Sequence, residues 1–95
     1  MKEMTAEQLK AKLSKKDFIL LDVRTKGEYE EFHIPGSILI PYDQIERRHR
    51  ELDAKKDDKI ICICRSGNRS GVACRILEKL GYTNTINVVD GLLGW

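Results

Sequence analysis

The segment Cys64-Arg65-Ser66-Gly67-Asn68-Arg69-Ser70 gathers a nucleophile, two permanent cations and two conformationally permissive residues. A cysteine reacts as its thiolate, and a nearby cation, a helix N-terminus or inward N–H groups each favour that form. Gly67 and Asn68 tolerate unusual backbone angles, so the loop can curl its N–H groups toward the sulfur. A helix beginning near Ser70 adds the positive end of its dipole. Arg65 and Arg69 add planar donor forks. The same cradle favours any anion held against the sulfur. The predicted chemistry is therefore an activated Cys64 nucleophile inside an oxyanion-binding loop. A buried structural cysteine is the plainer reading. It suits Cys62, because free cysteine is among the most buried residue types. For Cys64 the two neighbouring arginines argue against it.

Other polar residues carry weaker signals. His33 invites a general-base reading, since histidine is the side chain type that titrates nearest neutral pH, but beside Pro35-Gly36 it reads as a structural histidine holding that turn. His49 sits among Arg47, Arg48 and Arg50 and reads as part of a solvated helix face, with the basic run a minor candidate for docking an acidic partner. Cys62 and Cys64 do not form a metal site, because zinc wants four ligands in spaced pairs. Cys74 has apolar stripe neighbours and reads as buried, with a resolving disulfide as the alternative. No nucleotide-binding or hydrolase motif occurs, and no cofactor is expected.

The loop must be positioned by a strand before it and a helix after it. Lys59–Ile63 is a strongly apolar run of strand length. Ser70–Leu80 keeps Val72, Ala73, Ile76, Leu77 and Leu80 on one apolar stripe, and Gly81 sits where a C′ glycine belongs. In open α/β sheets ligands bind beyond the carboxyl ends of strands, which puts Cys64 at the mouth of a site. Upstream, Thr5 and Gln8 form a capping box for a helix over 6–14, with Leu9 and Leu13 inward. Phe18–Val23 reads as a strand buried on both faces. A short helix follows over 24–32, then a turn at Ile34-Pro35-Gly36 and a brief strand over 37–40. Asp43 is expected to cap a helix through Leu52, with Ile45 and Leu52 inward. Ile86–Val89 reads as the last strand. Strands alternating with helices predict an α/β domain spanning 1–95, a small, mainly parallel sheet flanked by helices on both faces.

Composition agrees with one small core. The 95 residues are 41% hydrophobic and 34% charged, with 17 basic against 15 acidic. That near-balance gives no whole-chain footprint for nucleic acid or membrane. The longest apolar runs fall far short of the ~18–20 residues of a membrane span. The N-terminus lacks an apolar secretory core. Three cysteines without disulfide-type spacing point to a reducing, cytoplasmic compartment.

Three ordered blocks, together covering nearly the whole chain, give it a resemblance. Leu21-Asp22-Val23-Arg24 with Glu28-Tyr29, His33-Ile34-Pro35-Gly36-Ser37, and Cys64–Ser70 resemble the signatures of single-domain rhodaneses, the sulfurtransferase family. The resemblance implies that Cys64 takes the outer sulfur of a donor such as thiosulfate as a persulfide and passes it to a thiophilic acceptor, a thiol, cyanide or a protein. It implies that the loop N–H groups and Arg69 stabilise the persulfide anion, that Arg65 attracts the donor, and that Asp22 and Arg24 support the site structurally. Related phosphatases and arsenate reductases use a Cys-x5-Arg loop. Here Cys64 to Arg69 is Cys-x4-Arg, and the shorter ring suits one added sulfur better than a tetrahedral oxyanion. The alternatives are a non-catalytic binding or sulfur-carrier module and, behind it, phosphatase-like chemistry. Two departures stand out. Phe32 replaces a glycine often found before the histidine and is expected to pack against the core. The Gly-Gly pair near the last strand reads here as Gly91-Leu92.

Overall fold

The computed structural model describes residues 1–95. Five parallel strands make one sheet in the order β1-β5-β4-β2-β3. They are β1 (Lys2–Met4), β2 (Ile19–Asp22), β3 (Ile38–Leu39), β4 (Ile60–Ile63) and β5 (Thr85–Val88). The register sets Asp22 beside Ile63 and Cys62 beside Asn87. The carboxyl ends of β2, β4 and β5 therefore share one edge of the sheet.

Successive side chains of a strand point to opposite faces, and here both faces are covered. Leu21, Val23, Ile60, Cys62 and Cys64 pack with Ala73, Cys74 and Leu77 of helix α4 (Asn68–Lys79) and with Ile45 of helix α3 (Ile45–Arg48). Leu20, Ile61, Ile63, Ile86 and Val88 pack on the other face against Ala6 and Leu9 of helix α1 (Ala6–Lys12). The two-layered covering explains why β2 and β4 read as unbroken apolar runs.

Local chemistry starts and stops the helices as expected in two places. Thr5 caps α1, with its hydroxyl on the Gln8 N–H and the Gln8 side chain on the Thr5 N–H. Gly81 ends α4 at φ +100, and the Tyr82 N–H returns to the Leu77 carbonyl at 3.0 Å. This closes the last turn with its orphan carbonyls paired.

Other expectations are corrected. Lys2–Met4 forms a strand although its sequence carries no apolar run, because its backbone pairs with the edge of β5. Asp43 is exposed and caps nothing. The segment after Pro41 breaks into a 3-10 turn at Tyr42–Gln44, the short α3, and a 3-10 turn at His49–Leu52. Only Ile45 and Leu52 are buried there, so packing does not hold one continuous helix. On α4, Val72 is exposed, and Gly71 and Cys74 take the inward positions.

Candidate active site

Cys64 lies just past the carboxyl end of β4 and is 1% exposed. Its Sγ accepts the Gly67 N–H at 3.1 Å and the Ser70 N–H at 3.4 Å, and the Ser70 hydroxyl lies 3.3 Å away. The loop folds this way because Gly67 takes φ +97, a left-handed angle open to glycine. A Cβ there would lie 2.1 Å from the Val89 carbonyl oxygen. Gly91 is required on the far side. A Cβ there would come within 2.5 Å of the Cys64 carbonyl oxygen, and the Leu92 N–H donates to that oxygen at 2.9 Å. The chain thus keeps the glycine that the close approach needs, and Leu92 contributes its backbone.

Burial by itself would push the Cys64 thiol up. The Ser70 hydroxyl and the N–H groups of Ser70, Ser66 and Gly67 outweigh it and leave the thiol below its usual value. α4 starts at Asn68, so its unpaired N-terminal amides supply this positive end.

Arg69 is placed differently from the expectation. Its fork grips Glu28 through Nη1 at 2.7 Å and Nη2 at 3.0 Å. The guanidinium therefore acts on the sulfur through its charge across a gap, and Cys64 in turn stabilises that charge. Glu28 belongs to helix α2 (Lys26–Glu31), whose capping box it shares with Thr25. The Arg69 hydrogen bonds hold its carboxyl down at about 2.

Asp22 and Arg24 fix α2 from behind. Asp22 is 1% exposed and pairs with Arg24 at 2.6 Å. Arg24 also donates to the Phe32 carbonyl at 2.7 Å and the Glu28 carbonyl at 3.4 Å. A connected chain of contacts thus runs from Asp22 through Arg24 and α2 to Glu28 and Arg69. Phe32 does not pack against the core. Its backbone is extended beyond the end of α2, and its ring is exposed. With Arg24, Glu28, Glu31, Arg65, Leu92 and Leu93 it lines a cleft of about 300 Å³. Arg65 and Ser66 are exposed on the loop, and Asn68 is exposed at the first position of α4.

His33 does not hold the Pro35-Gly36 turn. Its ring stacks on Tyr29 with centroids 3.7 Å apart, and Nδ1 pairs with the Tyr29 carbonyl at 2.7 Å. The Ser37 hydroxyl closes the turn on the Ile34 carbonyl instead. His49 is not simply solvated, since its Nδ1 meets the Tyr82 hydroxyl at 2.8 Å and burial pushes its pKa down. Arg48 of the basic run is taken up by Glu51 and Gln44, while Arg47 and Arg50 are exposed.

Sequence reasoning missed two residues that shape the site. Glu28 carried a signal, as the acid three places after Thr25 at a helix start. Asn87 carried another, as the one amide in the apolar run from Ile86 to Val89.

The Rhodanese-like domain family matches residues 5–95. The chain belongs to the rhodanese-like family. It is 42% identical over 94 residues to YrkF of Bacillus subtilis (strain 168), provisionally named a sulfur carrier, covering 98% of this chain and 50% of that protein. It is 34% identical over 94 residues to a sulfurtransferase of Allochromatium vinosum, covering 98% of this chain and 86% of the relative. A rhodanese-like domain protein from Staphylococcus aureus superposes with a TM-score of 0.87 at 33% identity, covering 100% of this chain and 91% of that one. The chain spans half or less of the length of several curated relatives that it matches. Rhodanese-like relatives thus comprise sulfurtransferases and sulfur carriers, and the parallel sheet with helices around it is their fold. No helix of the chain is long and apolar enough to cross a membrane.

Proposed function

We propose that the chain is a sulfurtransferase that moves sulfane sulfur through a persulfide on Cys64. The observation that carries this reading is the pair of backbone N–H groups, Gly67 and Ser70, aimed at the Cys64 sulfur. The Cys64 thiolate attacks the outer sulfur of thiosulfate. The sulfur–sulfur bond of the donor breaks, and sulfite leaves with the electron pair. Cys64 then carries a persulfide whose negative charge sits on the outer sulfur. A thiophilic acceptor such as cyanide attacks that sulfur, the S–S bond to Cys64 breaks, and the thiolate returns as thiocyanate leaves.

The preorganised N–H groups of Gly67 and Ser70 stabilise the anion without reorganising themselves. Arg65, exposed beside the cleft, draws in the anionic donor. Arg69 adds charge while Glu28 holds it in place. Asp22 and Arg24 support the site by fixing α2. The six residues from Cys64 to Arg69 close a ring suited to one added sulfur rather than to a phosphate. The natural acceptor is a small thiol or a protein, and a reducing, cytoplasmic compartment keeps the three free cysteines reduced.

Mass spectrometry after thiosulfate treatment tests the reading, with a gain of one sulfur on the Cys64 peptide expected. Thiocyanate should form when cyanide follows. Loading without turnover would favour the sulfur-carrier alternative that the YrkF likeness raises. Aryl phosphate hydrolysis at a rate comparable to thiosulfate turnover would defeat the sulfur reading.

A further inference from the structure

β5 offers a polar side chain where its neighbours are apolar. Asn87 is 6% exposed and shares the α4 face of the sheet with Cys62, its partner in register. Its Nδ2 donates to the Gly67 carbonyl at 3.2 Å, and its Oδ1 accepts from the Ser70 hydroxyl. Gly71 on α4 makes room, since a Cβ there would lie 3.3 Å from Nδ2. These contacts settle which way the amide faces. Turned over, it would set its oxygen against the Gly67 carbonyl, which already accepts the Gly71 N–H at 3.1 Å.

A hydroxyl has one proton. With Oδ1 facing it, the Ser70 proton points at Asn87. While Cys64 is a thiol, Ser70 then shows it lone pairs, 3.3 Å from the sulfur, and the hydroxyl lowers the thiol only by turning to donate to it. Lone pairs suit a thiol S–H and repel a thiolate. To donate to the ionised sulfur, the hydroxyl must turn away from Oδ1, which leaves a buried amide oxygen without a donor. In a persulfide the charge lies on the outer sulfur, so the inner sulfur no longer needs that donor and the hydroxyl can return to Asn87.

We infer that Asn87 is a positioning residue: it holds the direction of the Ser70 hydroxyl and thereby sets how readily Cys64 gives up its proton. The inference rests on Cys64 as the nucleophile. The titratable and charged groups nearest the thiol are Arg69 from α4, Cys62 from β4 and Arg65 next in the loop, with Asp22 at the end of β2, paired to Arg24, acting on Arg69. The hydrogen bonds of Asn87 run to Gly67 and Ser70 and to none of these.

Alkylation of Cys64 in the full-length chain, followed against pH by mass spectrometry, reads the effect. Asn87→Leu frees the Ser70 hydroxyl, so the midpoint should fall by about half to one pH unit, the size of one neutral hydrogen bond. In a Ser70→Ala background the same substitution should shift nothing, because its route to the sulfur is gone. A folded Asn87→Leu chain with an unchanged or raised midpoint would overturn the inference, as would an equal fall without the hydroxyl. A second measurement needs no change at Asn87. The Asn87 side-chain amide signals in the NMR spectrum should titrate with the Cys64 midpoint, and Ser70→Ala should abolish most of that response. A comparable titration in Ser70→Ala would reflect bare charge and count against the proposal. Alkylation reports ionisation without sulfur transfer. Failure here therefore leaves the sulfurtransferase reading standing, and failure of sulfur loading leaves this result readable.

Discussion

Cys62 and Cys64 sit on one face of the sheet, two positions apart, and are 0% and 1% exposed. Their thiols nonetheless move in opposite directions. The Cys62 thiol lies with Cys74 in the apolar layer, and that neighbouring thiol, burial and Cys64 all push it well up. Burial pushes Cys64 up too, but hydrogen-bond donors surround its sulfur and bring it down. Burial therefore does not decide whether a cysteine reacts. The donors that burial brings with it decide, and they begin where β4 ends and the backbone curls.

The sharpest way to break this comparison is to exchange the sulfur itself. Cys64→Ser should lower thiosulfate sulfur transfer by at least about 10³-fold, because a hydroxyl barely ionises at neutral pH. Cys62→Ser and Cys74→Ser should keep most of the activity. Residual turnover by Cys64→Ser near the wild-type rate would end the distinction between the two thiols.

Enlarging the ring probes the donors without touching the sulfur. One glycine inserted between Gly67 and Asn68 should cut sulfur transfer at least ~10-fold, about 1.4 kcal/mol of transition-state stabilisation. Steady-state assays with thiosulfate and cyanide would show it.

Gly67→Ala attacks the same donors through the fold. Its Cβ would collide with the Val89 carbonyl at a left-handed φ, so stability should fall by about 2–4 kcal/mol in denaturant unfolding. The Cys64 alkylation midpoint, expected below the free value of ~8.5, should rise in whatever fraction stays folded.

The smallest effect concerns the ion pair that steadies Arg69. Folding holds the Glu28 carboxyl at about 2, against 4.5 ordinarily. A depressed carboxyl stabilises the folded chain fully above its unfolded value. The stabilisation fades as pH falls from 4.5 toward 2. Glu28→Gln should therefore cost under about 1 kcal/mol at neutral pH. The gap from wild type should close in unfolding curves recorded at the acid end of that window. A gap that persists unchanged there would show that the pair does not hold Arg69.

Much of the fold is legible residue by residue. The Thr5–Gln8 box, the apolar strands around Leu21 and Ile61, and Gly81 at the end of α4 all announce themselves through local rules of capping, periodicity and backbone freedom. β1 does not, because an edge strand is made by the backbone it pairs with. Nor does the broken helix after Pro41, where Asp43 is a residue type suited to capping but caps nothing and buried anchors are too few. Phe32 misled because an aromatic side chain suggests a core, whereas α2 stops short of it.

At the site, the amino-acid order alone determined the candidate nucleophile Cys64, its glycine-hinged loop and the arginines beside it, since these are neighbours in the chain and their chemistry is local. Only the tertiary structure decided that Arg69 reaches Glu28, 41 positions away, rather than the sulfur. Only it decided that Asn87, 17 positions beyond Ser70, stands behind the serine hydroxyl. Those pairings exist because parallel strands bring distant segments to one edge of the sheet. Hydrogen-bond direction there depends on which groups meet in space, which spacing along the chain does not encode.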